Sequence, residues 1–149
     1  MILMQKNLTK LQAYNVMLLF LEKQYPKEES DYLGDILSNS EFWPSKMPGD
    51  RASWDYWKQA IRVISLQDRK FKNQNSLTAL QACHGMFNYV DNYVSFYKNK
   101  PDYLINLLKI LQSVCNKKDQ KLWQLWLEMV DEILKREDPR VYLKFVTTK

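Results

Sequence analysis

The tryptophan pair of Trp54-Asp55-Tyr56-Trp57-Lys58-Gln59-Ala60-Ile61 returns sixty-nine residues later as Trp123-Gln124-Leu125-Trp126-Leu127-Glu128-Met129-Val130. At the same offset Leu8-Thr9-Lys10-Leu11-Gln12-Ala13 falls on Leu77-Thr78-Ala79-Leu80-Gln81-Ala82, with five of six positions identical, and Met17 falls on Met86. A middle block running from Asp31 to Leu37 resembles the block from Asp102 to Leu108 at an offset two residues longer. Self-similarity at a fixed period marks a tandem duplication. Residues 1–70 and 71–149 therefore read as two versions of one unit.

Apolar spacing gives that unit three helices. The first runs from Leu8 to Tyr25, with Leu11, Tyr14, Leu18 and Leu21 on one stripe, and stops at Pro26, which removes a donor and disfavours helix before it. Its copy runs from Leu77 to about Tyr97 with Leu80, Cys83, Phe87, Val90 and Val94, and takes Ser76 as its cap. The second helix starts near Ser30-Asp31 and near Pro101-Asp102, where an acid suits the positive end of the helix dipole. The third places Trp54, Trp57, Ile61 and Ile64 on one face, and in the copy Trp123, Trp126, Val130 and Ile133. Trp54, Trp57, Trp123 and Trp126 read as the packing signature of the unit, because a buried indole removes on the order of 200 Å² from water.

The expected fold is all-α: a single domain, 1–149, formed as a six-helix bundle from two tandem three-helix repeats with a pseudo-two-fold relation. Beyond Asp138-Pro139, Val141, Leu143 and Phe145 alternate, which gives residues 139–149 the pattern of a short C-terminal extended segment. A chain of 149 residues is long enough to bury a core without staples, and three glycines against five prolines fit helices with short joints. The start Met1-Ile2-Leu3-Met4-Gln5-Lys6 lacks the charged-then-apolar order of a secretory leader. The apolar run from Val16 to Leu21 is far below the ~20 residues that span a bilayer. Cys83 and Cys115 sit inside helical patterns with no CxxC partner, as small buried hydrophobes do in a reducing compartment. The expectation is a cytoplasmic protein that does not insert in a membrane.

A net charge of +5 is shared evenly between the halves, and the clusters Arg69-Lys70-Phe71-Lys72 and Lys117-Lys118 fall in joints. A nucleic-acid groove gathers more on one face. Glu28-Glu29-Ser30-Asp31, with Asp35 a turn on, lacks the alternating ligands, central glycine and terminal glutamate of a calcium loop. His84 is the only histidine. A zinc site of the usual kind would thus need His84, Cys83 and the sequence-distant Cys115. Gly34, Gly49 and Gly85 are isolated, and the serines lack a nucleophile elbow. Catalytic residues, a metal and a cofactor are none of them expected, and the reading is of a protein that is not an enzyme.

The halves differ most between their second and third helices. The first half carries Ser38 to Ser53 with Phe42, Trp43, Pro44, Pro48 and Gly49, where the second has only the joint Asn116 to Lys121. Loops on a rigid scaffold commonly carry binding residues. Glu41, Phe42, Trp43 and Asp50, with Glu28, Glu29 and Asp35 nearby in sequence, are the candidate partner-binding residues, an aromatic anchor ringed by charge.

The order LTKLQAYNVMLLFLEKQY, then SDYLGDILSNSEF, then SWDYWKQAI resembles a bacterial family of contact-dependent growth inhibition immunity proteins, which share a leucine-rich first helix, an SDDLG-like segment and a W-x-x-W helix. The likeness covers residues 8–64. Its matching positions are Ser30, Asp31, Leu33 and Gly34, then Trp54, Asp55 and Trp57, while Tyr32 stands where the family pattern has a second acid. The resemblance implies a cytoplasmic immunity protein that binds a cognate toxin C-terminal domain and occludes its active site or substrate entry. The other class left open by the residues is a helical adaptor or nucleic-acid-binding module using Lys117, Lys118, Lys121 and the Arg69 to Lys72 cluster.

Overall fold

The computed structural model describes residues 7–24, 51–67, 76–95, 99 and 102–137. Within them the chain is mostly helical: α1 (Lys10–Gln24), α2 (Arg51–Gln67), α3 (Ala79–Val94), α4 (Asp102–Cys115) and α5 (Gln120–Leu134). A small antiparallel sheet pairs β1 (Asn7–Thr9) with β2 (Ser76–Thr78). The expected second helix near Ser30 and the alternating segment 139–149 lie outside the described residues.

The two strands add a small sheet that the helical expectation did not include. The sequence pattern begins the two helices at Leu8 and Leu77. Instead each lies in a strand, directly opposite the other and fully buried, with Asn7 across from Thr78 and Thr9 across from Ser76. The capping chemistry explains why the helices start later. Gln12 N–H donates to Thr9 Oγ1 at 3.0 Å while Thr9 N–H donates to Gln12 Oε1 at 2.8 Å. The same reciprocal pair joins Thr78 and Gln81, at 3.1 and 2.9 Å. A cap residue is extended, not helical, so Thr9 and Thr78 end the strands and begin the helices. Ser76 is accordingly a strand residue, and the cap of α3 is Thr78. A two-stranded ribbon is marginal by itself. This one is held because both leucines enter the core and both strands run straight into buried helices.

Helix α1 is the centre of the molecule. Ala13 to Leu21 are buried without a break, which is the pattern of a helix surrounded on all sides and not of one with a single apolar stripe. Asn15 is the buried polar residue there, and its Nδ2 donates to Leu11 O at 2.8 Å. Helix α5 packs on α1, α2 packs on α3, and α1 and α3 lie against each other, while α4 leans on α3 and touches α5. The third helix of each half is thus packed against the first helix of the other.

The rings repeat this exchange. Phe20 meets Trp126 edge-on at 5.4 Å, and Tyr89 meets Trp57 edge-on at 6.1 Å. Phe20 and Tyr89 are sixty-nine residues apart, as are the two tryptophans. Gly85 permits the second contact: a Cβ there would stand 3.1 Å from Trp57 Cη2 and 3.5 Å from Ile61 Cδ1. Asn88 adds a polar tie across the same seam, its Nδ2 donating to Ala60 O at 3.2 Å.

Between α4 and α5 the chain turns at Lys117, whose φ of 60° is left-handed. Lys117 and Lys118 N–H donate back to the carbonyls of Val114 and Ser113. Asp119 then caps α5 by accepting from Leu122 N–H at 3.1 Å. No helix among the described residues is long and apolar enough to cross a membrane.

Candidate functional site

All seven candidate partner-binding residues, Glu28, Glu29, Asp35, Glu41, Phe42, Trp43 and Asp50, lie outside the described residues. They belong to the segment between Gln24, the last residue of α1, and Arg51, the first of α2. Both flanking helices contribute to the core, α1 through Ala13 to Leu21 and α2 through Trp57, Ala60, Ile61 and Ile64.

The four signature tryptophans divide into two roles. Trp57 and Trp126 are fully buried. Trp57 Nε1 donates to Lys10 O at 3.0 Å, and Trp126 Nε1 donates to Ala79 O at 2.9 Å. Each acceptor is the first residue of a helix, so the indole secures the helix start that the Thr-Gln pair has capped. Buried indole N–H groups need such partners, and here the same partner is supplied at the same offset in both halves. Trp54 and Trp123 are half-buried. Trp54 meets Tyr14 edge-on at 5.3 Å, and the Lys117 ammonium sits 5.2 Å from the Trp123 ring centroid. Inner tryptophans anchor helices, and outer ones border the surface.

Cys83 is fully buried, whereas its neighbour His84 is about half-buried, as a step of one residue around a helix requires. Desolvation lowers the His84 pKa from 6.5. Burial pushes the Cys83 thiol far up, and the Cys115 thiol beside it adds to the rise. No group of three or more His, Cys, Asp or Glu among the described residues could hold a metal ion.

Cys115, distant from Cys83 in the sequence, faces it in the fold with the two sulfurs 2.9 Å apart. Spacing in the sequence gives no signal for this, because only the packing of α4 on α3 brings them together.

The surface offers two features that sequence reasoning missed. An open cleft of about 380 Å³ runs along α5, lined by Glu128, Asp131, Glu132, Lys135 and Arg136. Arg136 Nη2 bonds Glu132 Oε1 within it at 2.8 Å. Their spacing of three and four was a readable sign of a charged helix face. Between α2 and α3, Tyr56, Tyr89, Asn92 and Tyr93 line a narrow crevice. Tyr56 and Val63 on α2, and Ile105 and Ile110 on α4, are exposed apolar side chains.

Comparison with protein-family models, curated proteins and solved structures gives no significant match for this chain.

Proposed function

We propose that this chain is a cytoplasmic immunity protein, a six-helix bundle made from two tandem three-helix repeats with a pseudo-two-fold relation, which binds and neutralises the C-terminal domain of a cognate toxin. The repeat reading is supported by the features that recur at one offset: the Thr-Gln caps, the indole-to-carbonyl bonds and the Phe20 and Tyr89 ring contacts. It is further supported by the strand register, since equivalent Leu8 and Leu77 meet each other and their neighbours exchange partners, as a local two-fold axis between them requires.

The functional reading rests on the likeness of residues 8–64 to contact-dependent growth inhibition immunity proteins. One observation of the structure gives it physical sense: Trp57 of the W-x-x-W segment has its indole committed to the Lys10 carbonyl inside the core. The W-x-x-W segment is thus scaffold, and in this reading recognition falls to residues between Gln24 and Arg51. Neutralising a toxin by occlusion takes a stable, complementary surface, and none of its steps requires a nucleophile or a metal.

The test is growth of cells that express the toxin domain encoded beside this gene, with and without this protein, followed by co-purification of the pair. Rescue with a stable complex supports the reading; normal toxicity and no complex refute it. Trp43→Ala then locates the interface. A lower affinity for the toxin at an unchanged unfolding midpoint places Trp43 at the contact, and a lost midpoint with unchanged affinity removes it.

A second reading, a nucleic-acid-binding adaptor, is favoured by exposed Lys117, Lys118 and Lys121 at the α4–α5 corner, where Lys117 covers the half-buried Trp123. It requires steeply salt-dependent binding to generic DNA or RNA. The absence of a mobility shift at low salt rejects it.

A further inference from the structure

Cys83 comes from the second turn of α3 and Cys115 is the final residue of α4, so the two thiols belong to neighbouring helices thirty-two residues apart in the chain. Their sulfurs are 2.9 Å apart, and a disulfide needs ~2.05 Å, a closing movement of less than ~1 Å. Both side chains are walled in by apolar neighbours, Cys83 at 0% and Cys115 at 5% exposure. The pair is confined to one half: Tyr14 stands sixty-nine residues before Cys83, in the corresponding place on α1. The duplicated scaffold therefore stands in its first half without any such pair, and the thiols are an addition to the second.

We propose that Cys83 and Cys115 are a redox modification site, closing to an intramolecular disulfide that ties α3 to α4 when the protein meets a small-molecule disulfide of the glutathione type. The chemistry is two successive exchanges. The Cys115 thiolate attacks one sulfur of R–S–S–R, forming the Cys115–S–S–R mixed disulfide and releasing one thiolate. The Cys83 thiolate then attacks Cys115 Sγ, forming the Cys83–Cys115 bond and releasing the second. Two protein thiols lose one proton each, two electrons pass to the small disulfide, and two small thiols result. Cys115 is the entry point because it ends its helix beside the turn at Asn116 to Asp119, where fraying of one turn exposes it. Cys83, held inside α3 and disfavoured as a thiolate by burial, is the resolving partner, so closure is slow compared with exchange at a surface thiol.

The consequence is local. A cross-link over a loop of this length restricts the unfolded chain and holds α4 against the helix that also carries α2, leaving α1 and β1 untouched. The site is independent of the toxin reading, since it uses neither the segment between Gln24 and Arg51 nor any partner.

The experiment takes the full chain, without denaturant, through a series of reduced and oxidised glutathione ratios, stops exchange with acid, and then unfolds and alkylates the protein. Intact mass should show alkylated thiols falling from two to none. Peptide mapping should place the bond between Cys83 and Cys115, and the thermal midpoint should rise by roughly 10 °C, as expected for a loop of about thirty residues in a domain of this size. Cys83→Ala and Cys115→Ala should each remove the cross-link and the rise. Persistence of two free thiols under excess oxidised glutathione overturns the proposal, as do stable glutathione adducts without the cross-link, or a midpoint rise that survives in both variants. The wild-type mass and map decide the matter even if either variant fails to fold.

Discussion

Replacing either inner tryptophan with phenylalanine tests the claim that one indole-to-carbonyl bond holds both halves in the same way. In Trp57→Phe the donor to Lys10 O is lost, and in Trp126→Phe the donor to Ala79 O is lost. A buried hydrogen bond of this kind contributes about 1 kcal/mol net. The phenyl ring also lacks two of the indole carbons, and at ~0.8 kcal/mol per buried carbon group that loss is about 1.6 kcal/mol in a site that is fully enclosed. Each variant should therefore lose about 2–3 kcal/mol, and the two losses should agree within ~1 kcal/mol because the bonds and the burial match. Urea unfolding followed by far-UV circular dichroism measures both, with the slope of the transition expected to be unchanged. A loss below ~1 kcal/mol in either variant, or a large loss in one beside none in the other, would refute the idea that these residues do the same job.

Three further perturbations follow from the same geometry. Thr9→Ala and Thr78→Ala each break one reciprocal cap and should each cost about 1 kcal/mol by urea unfolding, adding in the double variant if the two helix starts act separately. Gly85→Val, which places in α3 the residue that α1 has at Val16, sets a branched side chain against Trp57 and should cost about 2–3 kcal/mol despite its better helix propensity, with Gly85→Ala falling between it and wild type. His84 has a folded pKa below 6.5, so between the two values the unfolded chain binds more protons and stability falls as pH drops from 6.5 toward the folded value. Thermal midpoints measured from pH 8 to pH 5 should fall less in His84→Asn than in wild type, and identical profiles would show that the imidazole is not desolvated.

The recurrence at an offset of sixty-nine residues was legible because it is written in residue identity, and the helices because their apolar periods are long. The caps were legible too, in Thr9-x-x-Gln12 and Thr78-x-x-Gln81, but starting the helices at Leu8 and Leu77, with Ser76 as a cap, passes over them. A three-residue strand has too few side chains to show alternation, and its pairing partner lies sixty-nine residues away. The candidate site was the least legible part. The longer joint of the first half pointed to the segment from Glu28 to Asp50, and the charged cleft along α5 follows the spacing of one helix face, while the tyrosine crevice depends on α2 and α3 becoming neighbours.

Local chemistry, then, was settled by the sequence: where apolar residues recur every three or four positions a helix gains from burying one face, and where Thr and Gln reciprocate a helix begins. Only the tertiary structure decided which faces met. Helix α2 is bonded to α1 through Trp57 and α5 to α3 through Trp126, but the more extensive packing of each is on the first helix of the other half, where Phe20 receives Trp126 and Gly85 leaves room for Trp57. The same choice set two thiols against each other. Burial of apolar surface is non-directional, so a pattern of hydrophobes states that a face will be covered, and the shapes of the side chains that fit together determine by what.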